Sequence, residues 1–253
     1  MPRANRYFLP GYVWHITHRC HKKEFLLKFH KDRMNWIRWL FASKKRYGLC
    51  VLNYIVTSNH IHLLVQDTGN DAIPKSMQLI AGRVGQAYNQ RKQRKGAFWE
   101  DRYHATAVDT DTHLARCLTY IDLNMVRTGV VKHPKGWVAS GYHEIQTPSQ
   151  RYRIVDLEAL KYLLEIDSLD ELQLRHLDWI DSAIHQDNAQ YDAMWSQSIA
   201  VGSEAFVEDV KAQLGLKAKH RETVDSNGAF FIKEGDASYT SHLIGEIDVV
   251  SRN

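Results

Sequence analysis

Two β-rich runs on either side of three polar residues constrain the fold of this chain more than any other feature. Residues 49–56 and 60–66 are apolar and rich in β-branched side chains, and Thr57-Ser58-Asn59 joins them. Runs of this kind across so short a polar link predict an antiparallel hairpin. A sheet built around that hairpin needs further strands beside it and helices to cover it.

Extended and helical patterns alternate around the hairpin. Residues 11–20 follow the turn signal Pro10-Gly11 and are predicted to form a strand, and a second short strand is predicted at 103–108. Apolar side chains recur at helical spacing in three other segments. Helices are predicted over 30–47, 73–90 and 111–126. This order indicates an α+β domain with helices packed on one antiparallel sheet, for which a ferredoxin-like arrangement is the natural candidate.

Charge divides the chain into two unlike parts. Residues 1–150 contain 23 Lys and Arg against 10 Asp and Glu, which gives a net charge of +13. Residues 151–253 contain 10 Lys and Arg against 19 Asp and Glu, which gives a net charge of −9. Basic side chains neutralise phosphates and supply most non-specific affinity for nucleic acids. The first part is therefore expected to bind a phosphate-bearing partner, and the second is not.

The secondary-structure signals change at the same place, near Pro148-Ser149. Beyond this point strand signals fade and helical spacing dominates. Helices are predicted over 155–165, 168–185 and 203–214, whereas 222–253 are too weakly patterned to assign. We therefore predict a first domain over 1–148 and a mostly helical, acidic extension over 149–253.

Several classes of protein are excluded by the composition. No apolar run reaches the roughly 18 to 20 residues that a membrane span needs, and no apolar signal core follows the first residues. Cys20, Cys50 and Cys117 lack CxxC spacing, which argues against a disulfide framework and against a cysteine-bound zinc. A cytoplasmic protein with no membrane partner is expected.

His60-Ile61-His62 is the first candidate for chemistry. On a strand the two imidazoles lie on one face and Ile61 lies on the other, because side chains alternate with period two. Two converging histidines could form part of a metal site, but a pair of solvent-facing histidines gives the same pattern. The motif alone leaves both readings open.

Tyr120 and Asn124 are the second candidate. Their i, i+4 spacing places them about 40° apart on one face of the predicted third helix. Taken alone, the tyrosine could equally be a boundary residue and the asparagine a capping group near the end of the helix.

Read together, these segments resemble a known family. Thr57-Ser-Asn-His-Ile-His-Leu-Leu-Val65 and Tyr120-Ile-Asp-Leu-Asn-Met-Val-Arg-Thr-Gly129 are similar to the motifs NHxHLL and YxxxNPxRAG of the REP-associated tyrosine transposases, which are single-tyrosine HUH transposases. The first strand, residues 98–103 and residues 137–142 also resemble segments of that family, in the same order. Met125 and Thr128 stand where the family commonly has proline and alanine.

The resemblance implies an HUH endonuclease fold and a set of roles. Tyr120 would be the nucleophile, and His60, His62 and Asn124 would be ligands of a divalent ion, Mg²⁺ or Mn²⁺. The chain would cleave and rejoin single-stranded or hairpin DNA through a 5′-phosphotyrosine, with repetitive extragenic palindromes as the family's substrate. A transposase of this kind is expected in the cytoplasm, associated with the nucleoid.

DNA contacts are expected from basic and aromatic side chains. His15 and Arg19 share a strand face, and the resemblance implies that they lie near the active surface or the DNA. A basic segment precedes the rings of Phe98 and Trp99, and single-strand binding uses this combination of phosphate contacts and stacking. The predicted DNA-contact residues are His15, Arg19, Arg91, Lys92, Arg94, Lys95, Trp99, Arg102, Tyr103 and Arg127.

Two other functions fit part of this pattern. A regulatory protein that binds DNA hairpins without cleaving them could keep the fold, although all four active-site residue types are present here. A relaxase or replication-initiator nicking enzyme shares the two-histidine motif, but usually has it in a different order relative to the tyrosine and on a longer chain.

Overall fold

The first four strands of the structure form a ferredoxin-like sheet. The computed structural model describes residues 8–186, 192–215, 218, 221–226 and 228–233. Its first strands are β1 (Val13–Arg19), β2 (Cys50–Val56), β3 (His60–Gln66) and β4 (His104–Val108). They are ordered β2-β3-β1-β4, and each neighbouring pair is antiparallel. The predicted α+β fold is confirmed, and the predicted hairpin is formed by β2 and β3.

Two long helices cover one face of this sheet. They are α1 (His30–Tyr47) and α2 (Ala72–Lys92), and they pack on each other. The Trp36 ring of α1 lies 6.4 Å from the ring of Tyr54 in β2, measured between centroids. Gly48 ends α1 at a φ of 68°, where a side chain would be strained. α2 is longer than predicted, because it continues through Arg91 and Lys92 of the basic segment.

The opposite face carries the helical segment that contains Tyr120. One helix was predicted over 111–126, but the structure has two, α3 (Thr112–Asp122) and α4 (Asn124–Arg127). The interruption falls at Leu123, whose backbone is near φ −76° and ψ 1°. The period-3.6 pattern of apolar residues continues through Leu123, so this pattern does not reveal the break.

The rest of the chain adds five helices and three strands within the described residues. The helices are α5 (Tyr142–Gln146), α6 (Leu157–Leu163), α7 (Leu169–His185), α8 (Met194–Gln197) and α9 (Glu204–Leu214). The strands are β5 (Ser198–Gly202), β6 (Thr223–Ser226) and β7 (Ala229–Lys233). Among the described residues, none of the helices combines the length and the hydropathy that a membrane span requires.

These three strands extend the first sheet. β5 pairs in parallel with β4, through Ala107 with Ala200 and Val108 with Val201, and the full order is β2-β3-β1-β4-β5-β7-β6. The helices predicted beyond residue 148 are present, and this part of the chain also contains three strands that were not predicted. β5 is short and buried at every position, so it lacks the alternation that reveals a strand in a sequence.

The hydrophobic core also spans the predicted boundary at residue 148. One cluster of buried side chains includes Ile16 and Leu63 from the first strands together with Leu160, Trp195 and Val207. The division into two domains stays a prediction, and the described parts on either side of it share one sheet and one core.

A buried polar network fixes α3 against the later part of the chain. His176 of α7 and Asp122 of α3 are 0% and 1% exposed, with His176 Nε2 2.8 Å from Asp122 Oδ2. The Asn53 amide of β2 donates to the other oxygen of Asp122 at 3.1 Å. Gln146 Nε2 lies 2.8 Å from His176 Nδ1. Both oxygens of the Asp122 carboxylate therefore have a hydrogen-bond partner. Asp122 lies two positions after Tyr120 in the sequence.

We expect His176→Ala to lower the free energy of unfolding by about 3–5 kcal/mol, because it leaves one oxygen of the buried Asp122 carboxylate without a partner. Urea unfolding followed by circular dichroism measures this change. His185→Ala is the matched control, since this exposed histidine lies on the same helix. Equal effects of the two substitutions would contradict a stabilising role for the network.

A chain cut after residue 148 is expected to show no cooperative thermal transition, because the cut removes β5 from the edge of β4 and many side chains from the shared core. A chain that ends at Lys233 keeps every described strand and is the control. Calorimetry compares the two, and a sharp transition in the shorter chain would contradict the shared core.

Candidate active site

A cavity of about 820 Å³ opens over the face of the sheet that carries α3. Seven of the residues predicted from the sequence line it, and they come from β1, β3, α3, α4 and the segment before β4. They are Arg19, His60, His62, Arg102, Tyr120, Asn124 and Arg127. The structure therefore brings the two motifs together, although they are about 60 residues apart in the sequence.

The register of β3 directs both histidines to this cavity. In the pairing of β1 with β3, His60 is opposite Arg19 and His62 is opposite Thr17, so both imidazoles lie on the α3 side. Their ring centroids are 5.0 Å apart. Ile61 is fully buried on the other side of the strand.

His60 is oriented by the turn that precedes it. Its Nδ1 lies 2.8 Å from Asn59 Oδ1 and 3.0 Å from Thr57 Oγ1. An amide oxygen only accepts hydrogen bonds, so His60 Nδ1 carries the proton and Nε2 keeps its lone pair. The turn thus fixes the tautomer that can bind a cation through Nε2.

His62 and Asn124 are in direct contact. His62 Nε2 lies 2.9 Å from the Asn124 amide nitrogen, while His62 Nδ1 lies 2.8 Å from His15 Nε2. Asn124 Oδ1 is buried and has no hydrogen-bond partner among the described residues. An unsatisfied buried oxygen beside an imidazole calls for an explanation, and an oxygen ligand for a cation is one.

Burial keeps the imidazoles of the site neutral. It lowers the pKa of His60 to about 4, and the positive charges of Arg19 and Arg127 act in the same direction. Burial lowers the pKa of His62 well below its ordinary value, and that of His15 to about 3. Neutral imidazole is the form that binds metal ions, so proton competition is weak at neutral pH.

Tyr120 lies beside the histidines and is only 6% exposed. Its ring centroid is 5.8 Å from that of His62, with the two rings nearly perpendicular. The guanidinium of Arg127 stands over the tyrosine ring at 4.1 Å and donates to the Tyr120 carbonyl oxygen at 2.6 Å. Arg127 therefore joins α3 to α4 across the break between them.

Three of the predicted DNA contacts have packing roles in the structure. His15 is fully buried behind His62, so its prediction as a DNA contact is corrected. Trp99 stacks on His18 at 4.0 Å between centroids and donates its indole N–H to the Ala81 carbonyl. Tyr103 is 7% exposed. Aromatic composition alone does not separate rings that pack inside from rings that stack on bases.

The basic segment predicted to bind DNA lies away from the cavity. Arg91, which belongs to α2, forms an ion pair with Asp32, and Arg94 lies 3.7 Å from Glu24. Lys92 is 5.5 Å from the centre of the Phe29 ring, and Lys95 is exposed. Two of these four cations are thus paired with carboxylates, and a DNA contact by the segment stays a prediction.

The later part of the chain contributes residues that sequence reasoning missed. Ser196 and Gln197 line the cavity, and the Trp195 ring lies 6.1 Å from that of Tyr120. They belong to no motif and to no predicted element. The only sequence feature that could have pointed to them is the apolar character of the next segment, which forms β5.

The donor set fits a divalent cation through two imidazoles and one amide. Among the described residues, no group of three His, Cys, Asp or Glu side chains is placed to hold a metal ion. His60, His62 and Asn124 are a different kind of set, since one donor is an amide oxygen. The Nε2 lone pair of His60, the Nε2 atom of His62 and the unpartnered Oδ1 of Asn124 are the three atoms of such a set.

Known proteins are similar to this chain in sequence pattern and in fold. A solved REP-associated tyrosine transposase bound to a REP hairpin is 20% identical, covers 61% of this chain and 90% of its own, and has a TM-score of 0.50. A proposed transposase of Deinococcus radiodurans is 16% identical and covers 42% of this chain and 86% of its own. Its TM-score is 0.33, and no argument is based on it. No curated protein matches the sequence.

The model of the family described as "Transposase IS200 like" matches residues 11–124. This range begins just before β1 and ends at Asn124, so it contains the ferredoxin-like strands, both histidines and the tyrosine. Residues 11–124 of this chain are therefore similar to the IS200-like transposases.

Proposed function

We propose that this chain is a metal-dependent single-strand DNA endonuclease and strand transferase that uses Tyr120 as its nucleophile. The observation that carries the proposal is the position of Tyr120 beside His62 in one cavity, with the Asn124 oxygen unsatisfied next to it. A tyrosine next to a candidate cation site can attack a phosphodiester that the cation holds in place.

The reaction is a transfer that conserves the phosphodiester energy. The Tyr120 oxygen attacks the scissile phosphorus, a phosphotyrosine forms on the 5′ side, and a free 3′-OH leaves. The reverse attack by a 3′-OH restores a phosphodiester and the tyrosine. Arg19, Arg102 and Arg127 line the cavity and supply positive charge where the phosphate would lie.

His60, His62 and Asn124 would hold the divalent ion, Mg²⁺ or Mn²⁺, through two nitrogens and one oxygen. Such an ion polarises the phosphate and stabilises the charge that builds on its oxygens. The chain's own residues prepare the site, since Asn59 fixes the proton of His60 on Nδ1 and burial keeps both imidazoles neutral.

We propose hairpin-forming DNA as the substrate. The similar solved structure is described as bound to a REP hairpin. The net charge of +13 over residues 1–150 also favours a polyanion. The three arginines that line the cavity also place positive charge where a DNA strand would bind.

Tyr120→Phe is expected to abolish the covalent DNA adduct and to slow cleavage by on the order of 10³-fold or more, because only the attacking oxygen is lost. DNA affinity should change by about twofold at most. A denaturing gel of labelled hairpin DNA detects the adduct. Tyr162→Phe, an exposed tyrosine, is the control. An adduct that persists in Tyr120→Phe would assign the nucleophile elsewhere.

His60→Ala and His62→Ala are each expected to remove the stabilisation by Mn²⁺, because one imidazole and one amide bind a cation weakly. At 100 times its Kd, the ion should stabilise the unmodified chain by about 2.7 kcal/mol. Thermal unfolding with and without Mn²⁺ measures this, and His30→Ala, exposed on α1, is the control. DNA cleavage that continues in excess chelator would contradict the metal requirement.

A further inference from the structure

His15 is a buried histidine that the proposed chemistry does not use. It lies on β1, is 0% exposed and has a hydrogen-bond partner at each ring nitrogen. Its Nδ1 is 2.7 Å from the backbone carbonyl oxygen of Trp195, and its Nε2 is 2.8 Å from His62 Nδ1. This places one imidazole between a candidate metal ligand and the backbone of the later part of the chain.

The partners decide where the protons are. A carbonyl oxygen only accepts, so His15 Nδ1 donates to Trp195, and a neutral His15 is then left with a bare Nε2. That nitrogen accepts from His62, so His62 carries its proton on Nδ1. His62 Nε2 therefore keeps a lone pair, and this is the atom that lies 2.9 Å from the Asn124 amide nitrogen.

We propose that His15 and the Trp195 carbonyl are a positioning pair, which fixes the tautomer and ring orientation of His62 so that Nε2 can bind a cation. This inference rests on the proposed function, in which His62 is a ligand. Neither His15 nor Trp195 would touch the DNA or the ion. They act through His62, as carbonyl and carboxylate partners orient metal-bound histidines in general.

The two candidate ligands are thus oriented from different parts of the chain. His60 takes its tautomer from Asn59, its neighbour in the sequence. His62 takes its tautomer from a carbonyl 180 positions from His15, in α8 just before β5. The Trp195 side chain is 3% exposed and belongs to the shared core, and β5, which pairs with β4, begins three residues after it.

The tautomer of His62 in the metal-free full chain is the direct test. Two-bond ¹H–¹⁵N spectra of histidine-labelled protein, assigned with His62→Ala, should show His62 protonated on Nδ1. In His15→Leu, which removes both the donor and the acceptor, His62 should lose this single tautomer and populate Nε2–H as well. A His62 protonated on Nε2 in the unmodified chain would overturn the proposal, whether or not any variant folds.

Metal affinity is the second readout, measured as Mn²⁺ binding by electron paramagnetic resonance. His15→Leu should weaken binding by about 10–100-fold, whereas His15→Gln, which keeps a donor and an acceptor, should weaken it much less. Ile16→Ala is the matched packing control, since Ile16 is fully buried on the other face of β1. It should lower the melting temperature and leave Mn²⁺ affinity unchanged.

Equal Mn²⁺ affinity in folded His15→Leu and in the unmodified chain would overturn the positioning pair. An unmodified chain that binds no Mn²⁺ would instead overturn the metal part of the proposed function. The tautomer spectrum then still decides on the positioning pair, because it is recorded without metal.

Discussion

The antiparallel pairing of β1 with β3 is the interaction on which the site depends. Its register puts His15, Arg19, His60 and His62 on one side of the sheet, since residues opposite each other in a ladder point the same way. A shift by one residue would turn both β3 histidines toward α1 and α2 and would bring Ile61 to the cavity. The fully buried Ile16, Ile61 and Leu63 on the other face oppose that shift by burying apolar surface.

Local patterns account for the part of the structure that sequence predicted well. The hairpin, the two long helices and the common face of His60 and His62 follow from periods of 2 and 3.6 within a few residues. Joining His62 to Tyr120 and Asn124 is a long-range result, and only the resemblance to a family suggested it. The placement of these residues in one cavity is in line with that suggestion, while their roles remain proposals.

The features that sequence patterns did not predict have physical causes other than local periodicity. β5 is too short and too uniformly buried to show a period, and the break at Leu123 leaves the apolar spacing intact. The role of His15 depends on a backbone carbonyl, which has no sequence signature at all. The pairing of Arg91 with Asp32 likewise shows that a run of cations can serve internal contacts as well as a surface.

The parallel pairing of β4 with β5 has a consequence for how the protein is made. The strands are joined by about 90 residues of intervening chain, so the sheet beyond β4 cannot form until β5 has left the ribosome. At about 5–20 residues per second, β5 is synthesised on the order of 4–16 s after Asn124. During that interval the nascent chain holds the tyrosine and both β3 histidines without the carbonyl that orients His62. A chain with the proposed activity would thus complete its site late in its own synthesis, after most of the chain is in place.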